Sequence, residues 1–212
     1  MDVIVIGNGG HSKVIQDMIR SLHYKIIAIL DSKYIEHKIE CEVNYAPIES
    51  IDEYLTPEVR VVIAIGNNAA RKKVSNQLSL HSEQYLTVKH PSSVVSSTAF
   101  IGAGTVVMPN AVINANSIIG DQCIINTGAI IEHENKVNNY SHVSPNATLT
   151  GNVITGEGVH IGASVTVIPG ISIGNWSVIG AGATVIEDIP AFSTAVGCPA
   201  KIIRKGGDVI AQ

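Results

Sequence analysis

Between Asn126 and Pro145 the chain reads NTGAIIEHENKVNNYSHVSP, which places Glu132, His133, Glu134 and His142 in a segment otherwise made mostly of small, aliphatic or amide residues. A histidine beside carboxylates suits proton transfer. The unperturbed imidazole titrates near pH 6.5, so its neutral form can take a proton from an attacking nucleophile. A neighbouring carboxylate can orient the ring and stabilise the imidazolium that forms. Adjacent residues of a regular strand point to opposite faces, so Glu132 and Glu134 would both point away from His133. Pairing therefore requires a bend in the chain or a carboxylate from a second subunit. His160 follows His142 by 18 residues, and His133, His142 and His160 together also make the number of imidazoles a zinc site would need.

A second motif lies at the N-terminus, where the apolar run Val3 to Ile6 is followed by Gly7-Asn8-Gly9-Gly10-His11-Ser12. Glycines after a strand and before a helix let backbone N–H groups approach a phosphate. Ser12 occupies the place of the third glycine of a dinucleotide-binding fingerprint, so a free-standing NAD site is disfavoured.

Two kinds of element must position these groups. Up to about Lys89, short apolar runs alternate with helical patterns: strands at Val3 to Ile6, Ile26 to Leu30 and within Val59 to Gly66. A helix is expected over Ser12 to Leu22, with Val14, Ile15, Met18, Ile19 and Leu22 on one face. A second helix follows Gly66, capped by asparagine. This is a small α/β unit with parallel strands. From about Val94 every sixth residue from Ile101 to Val185 is aliphatic except Thr155, and the residue two places before each is small or β-branched, with Asn135 the one amide. A six-residue period signals a solenoid of short strands.

With 18 residues per coil, His133 stacks between Ala115 and Gly151, which leave room for an imidazole, and His142 and His160 fall in one column. Ala163 and Ala181 share another. The composition agrees with strands of small side chains: 45% hydrophobic but only 4% aromatic residues. A net charge of −4 supplies no field for nucleic acid. Cys41, Cys123 and Cys198 are odd in number and widely spaced, as reduced thiols of a cytoplasmic protein would be. No secretory leader and no apolar run long enough for a membrane span is visible.

The segments VIGNGGHSKVI, VVIAIGNNAARKK, NTGAIIEHE, YSHVSPNATLTGNV and VGCPAKIIRK carry a resemblance over nearly the whole chain. It resembles the bacterial sugar O- and N-acetyltransferases of the NeuD and PglD type. The resemblance implies a Rossmann-like α/β domain over residues 1–90 and a left-handed parallel β-helix over 91–212. It implies acetyl transfer from acetyl-CoA to the 4-amino group of a UDP-linked amino-dideoxy sugar, for glycan or exopolysaccharide synthesis. It further implies a homotrimer with active sites between subunits, no metal and no membrane insertion. Residue by residue, it puts the general base at His133 and a carboxylate that raises its basicity at Glu134. Acetyl-CoA contacts fall at His142, Ala163 and Ala181, and substrate contacts at Gly9, Gly10, His11, Asp31, Ser32, Gly66 and Asn126. Lys201, Arg204 and Lys205 could meet CoA phosphates. O-acetylation of a sialic-acid-like sugar, a zinc lyase on the same β-helix and a non-enzymatic scaffold are the alternatives.

Overall fold

The computed structural model describes residues 1–206. They form two compact units, Met1–Val88 and a second from Lys89 onward.

In the first unit β1 (Asp2–Ile6), α1 (Gly10–Ser21), β2 (Lys25–Leu30), β3 (Lys38–Glu40), β4 (Val43–Ala46), β5 (Arg60–Ile63) and α2 (Asn68–Leu78) follow in order. The sheet order is β3-β4-β2-β1-β5, with β1 parallel to both β2 and β5. The expected parallel core is present, and a hairpin extends it: β4 is parallel to β2, whereas β3 runs antiparallel to β4. The sequence analysis places no strand there, although Ile39, Cys41, Val43 and Tyr45 alternate with polar residues; β3 itself is wholly exposed. Strand order reverses on the two sides of β1, so the carboxyl ends of β1 and β5 flank the crevice where open α/β sheets bind ligands.

Helix α1 begins at Gly10 with Gly9 as its cap, and it buries Ser12, Ile15, Gln16, Met18 and Ile19. Val14 was expected on that face but is 41% exposed. It lies about 100° around the helix from Ile15, on the side away from Ile19, and the polar pair Ser12 and Gln16 fills the buried face instead. Leu22 is the C-cap, just outside the helix. Asn67 caps α2, its Oδ1 accepting from the Ala70 amide at 2.8 Å.

The second unit is a left-handed parallel β-helix of two-residue strands. Each strand pairs with those 18 residues before and after it, as Ile130–Ile131 does with Val112–Ile113 and Thr148–Leu149. Three faces result. Face I runs from Val94–Val95 to Thr184–Val185, face II from Phe100–Ile101 to Ser172–Ile173, and face III includes Val106–Val107, His142–Val143 and His160–Ile161. The second residue of each strand points inward, and from Val107 to Val185 every one of these is at most 1% exposed. Each such aliphatic contributes roughly 1.5–3 kcal/mol on burial.

A polar ladder runs beside this core. Thr105 Oγ1 donates to the Gly120 carbonyl and accepts the Cys123 amide, and Ser117 Oγ does the same between the Glu132 carbonyl and the Asn135 amide. Where a small hydroxyl residue precedes a strand, it therefore ties successive coils together. Between faces the chain turns at a single residue: from Gly104 to Gly182 every sixth residue has φ between 55 and 76°. Most of these are Gly or Asn, the residues that tolerate that backbone region.

Candidate active site

His133 stands at the corner between faces I and II. The next residue, Glu134, occupies the left-handed turn position with φ +61°. A glutamate in that conformation is uncommon, and here it supplies the bend that pairing required. Glu134 Oε2 lies 3.2 Å from His133 Nδ1, and both side chains are more than half exposed. Adjacent residues therefore pair within one chain. Glu132 is excluded as the partner, since its Oε2 accepts from Asn114 Nδ2 at 2.9 Å. With Nδ1 turned to the carboxylate, Nε2 is the nitrogen that can receive a proton from a ligand.

The ring also has a floor. A Cβ added at Gly151 would lie 2.5 Å from His133 Cε1 and 2.6 Å from Nε2. The imidazole thus lies over a glycine one coil on, as the 18-residue stacking indicates. Behind the corner, inside the coil, is Asn135, fully buried. Sequence reasoning did not assign it a role, although its being the one amide in an otherwise small or β-branched series was the available signal.

Asn126, His142, Ala163 and Ala181 gather elsewhere, on face III and its corner with face I. Asn126 Oδ1 accepts the Thr127 amide at 2.8 Å, which fixes the amide so that Nδ2 faces His142 Nε2 at 2.9 Å. Nε2 of His142 is therefore an acceptor. One coil on, Ser144 Oγ meets His160 Nε2 at 3.0 Å, and the His142 and His160 rings stack at 5.0 Å and 14°. Ala163 and Ala181 follow along the same corner, with the Gly182 amide donating to the Ala163 carbonyl at 2.8 Å. Ala163 and Ala181 leave that corner without bulky side chains. Among the described residues no three His, Cys, Asp or Glu side chains are grouped as a metal ion would need. The structure thus brings four of the six expected β-helix residues together and sets the other two, His133 and Glu134, on a different corner of the chain.

In the first unit the expected residues follow the carboxyl ends of β1, β2 and β5. Gly7 has φ +101°, and a Cβ there would press on Ile65 Cγ1 at 3.0 Å, so only glycine fits. Nothing lies within 4 Å of the Cβ positions of Gly9 and Gly10, which leaves their backbone approachable. Ser12 Oγ donates to the Gly7 carbonyl at 2.7 Å, which closes the turn where a third glycine would otherwise stand. His11 lies against Gly66. Burial, and then the Arg71 guanidinium, lower its pKa from 6.5 to about 4, so it is neutral at ordinary pH. Arg71, 1% exposed, donates to the Ile65 and Gly66 carbonyls and to Asn68 Oδ1. Asp31 Oδ2 accepts the Asn8 amide at 2.6 Å and Oδ1 the Lys33 amide at 3.0 Å. It binds the glycine loop to the turn that contains exposed Ser32. Lys201, Arg204 and Lys205 lie exposed on the strand Lys201–Lys205, antiparallel to Ser193–Val196.

Comparison with known proteins agrees with the fold of each unit. Residues 2–78 match the PglD N-terminal domain, and residues 98–133 and 152–187 match the bacterial transferase hexapeptide repeats. A histidine-to-asparagine variant of perosamine N-acetyltransferase from Caulobacter crescentus, in complex with CoA and GDP-perosamine, is 34% identical with a TM-score of 0.86 over 98% of both chains. The chain belongs to the hexapeptide-repeat sugar N-acetyltransferases. Within this family, the acetyltransferase domain of PglB from Neisseria gonorrhoeae is 31% identical with a TM-score of 0.86, covering 95% of this chain and 99% of that one. UDP-N-acetylbacillosamine N-acetyltransferase of Bacillus subtilis is 44% identical over 110 residues, which is 50% of this chain and 51% of that protein. The chain thus matches about half the length of this curated relative, and 20% of GDP-perosamine N-acetyltransferase from Escherichia coli O157:H7.

Proposed function

We propose that this protein transfers acetyl from acetyl-CoA to the 4-amino group of a nucleotide-linked amino-dideoxy sugar, with UDP as the carrier nucleotide. The observation that carries the reading is the exposed His133–Glu134 pair on a corner of the β-helix, its ring seated over Gly151. The neutral sugar amine attacks the thioester carbonyl, and the C–N bond forms as the carbonyl becomes a tetrahedral oxyanion. His133 Nε2 takes the amine proton while Glu134 stabilises the imidazolium through Nδ1–H. The oxyanion then collapses, the C–S bond breaks, and the CoA thiolate leaves.

In this reading Gly9, Gly10, His11 and Gly66 hold the nucleotide sugar, Asp31 and Ser32 shape the adjoining turn, and Asn126 lies near the acceptor. His142, Ala163 and Ala181 form the wall along which the pantetheine arm of acetyl-CoA lies. That wall and His133 are on different corners of the β-helix. Six residues at roughly 3.3 Å each, about 20 Å when extended, separate successive corners. A neighbouring subunit would supply the missing half, the I/II corner of one copy meeting the III/I corner of the next, and three copies close such a ring.

Release of CoA thiol from acetyl-CoA tests the reading, with UDP-4-amino-4,6-dideoxy-N-acetylglucosamine, GDP-perosamine, sialic acid and no acceptor as parallel arms. Turnover is expected with the UDP amino sugar. Turnover with sialic acid alone would replace N- by O-acetylation, and none in any arm would favour the scaffold alternative. Light scattering is expected to give three times the 22.4 kDa chain mass. Mixing His133→Ala chains with Ala181→Trp chains should restore part of the lost activity, because some interfaces then pair an intact base with an intact wall.

A further inference from the structure

The repeat places a small or β-branched side chain inside every corner except one. At Asn135 it places a fully buried amide, directly behind the corner that bears His133 and Glu134. This side chain makes two kinds of contact. Along the helix axis its Nδ2 donates to the Thr150 carbonyl at 2.9 Å and its Oδ1 accepts the Val153 amide at 3.0 Å. Those are the coil-to-coil bonds that Ser117 makes in the same column one coil earlier. The other contact is specific to the amide: Nδ2 also reaches back to the Glu132 carbonyl at 2.6 Å and stands 3.5 Å from that of His133. A serine at this position would be too short to span both directions.

The Glu132 carbonyl therefore accepts from Asn135 Nδ2 and Ser117 Oγ together. The His133 carbonyl accepts the Asn152 amide at 2.9 Å, and the Glu134 amide donates to Ala115 at 2.9 Å. Both peptide groups that flank His133 are thus tied down. That matters here because Glu134 holds a backbone conformation that costs a non-glycine residue on the order of 1 kcal/mol, and its carboxylate meets His133 only in that conformation. A residue that fixes the corner from inside keeps the pair assembled.

We propose that Asn135 is a positioning residue for the proposed acetyl transfer: its amide locks the corner on which Glu134 pairs with His133. The inference rests on the role proposed above for His133, and two substitutions separate it from ordinary core packing. Asn135→Ser keeps the coil-to-coil bonds and loses only the hold on Glu132 and His133. Asn135→Val loses both and reproduces the valine found one coil on at Val153. In the full-length protein, Asn135→Ser should melt within a few degrees of wild type and keep its KM for acetyl-CoA within about twofold. Its kcat should fall about tenfold, since a small misplacement of a reacting group suffices for such a loss. The titration of His133, followed by NMR of ring-labelled histidine, should shift towards that of Glu134→Gln. Asn135→Val should show the same kinetic change with a lower melting temperature.

A kcat within twofold of wild type for Asn135→Ser, or a His133 titration unchanged from wild type, would overturn the inference. If the wild-type protein turns over no acceptor while the His133 titration shifts as expected, the acetyltransfer reading fails and the placement of the pair by Asn135 stands.

Discussion

Each unit carries a histidine in its candidate site, and the two rings lie in opposite surroundings. His11 is packed against Gly66 beside a buried arginine and is kept neutral far below ordinary pH. His133 is exposed, sits over bare backbone and faces a carboxylate. The enclosed ring near a cation stays neutral. The open ring beside an anion has the surroundings that the proposed base requires. Burial and the sign of one neighbour, rather than residue type, thus suit the two rings to different proposed roles.

Replacing each histidine is the strongest way to break the comparison. His133→Ala should lower turnover by at least about two orders of magnitude with the melting temperature little changed, and near-normal turnover would remove it from the reaction. His11 should register instead in stability. Its folded pKa of about 4 lies below the ordinary 6.5, so the unfolded chain binds the proton more readily. The contribution is complete above pH 6.5 and is lost as pH falls from 6.5 towards 4, by roughly 2–3 kcal/mol. Denaturant unfolding of wild type and His11→Asn across that window checks this: the pH slope should be shallower in the variant.

Smaller effects sharpen the contrast. Gly151→Ala would push a methyl into the His133 ring, and about a tenfold loss of kcat is expected with acetyl-CoA affinity retained in a calorimetric titration. Thr155 stands at an inward position that is aliphatic in every other coil, and its hydroxyl is buried with no hydrogen-bond partner among the described residues. Thr155→Val should stabilise the β-helix by about 1 kcal/mol, read from the urea midpoint, without altering turnover.

The solenoid was legible because its period is strict: one aliphatic residue in six and one coil in 18 suffice to stack His142 on His160 and His133 over Gly151. The β3–β4 hairpin was passed over although Ile39, Cys41, Val43 and Tyr45 alternate with polar residues, because the charged residues between them and the absence of a long apolar run read as a loop. The direction of Glu134 was not legible. Strand alternation sends neighbours to opposite faces, and only the left-handed turn position, which Gly and Asn mark at most other corners, overrides that rule. Asp31 illustrates a third limit. Its place at the end of β2 was readable, but its hydrogen bonds to the Asn8 and Lys33 amides depend on two loops meeting.

The 18-residue coil also acts as a ruler. Neighbouring strands of a sheet are about 4.8 Å apart, so each coil between the level of His133 and that of Ala181 sets a fixed increment of height. Adding or removing 18 residues there would preserve every corner and every face while changing that height by one increment. The length of acyl carrier that such a scaffold accommodates could then be altered in whole steps, with the chemistry left untouched.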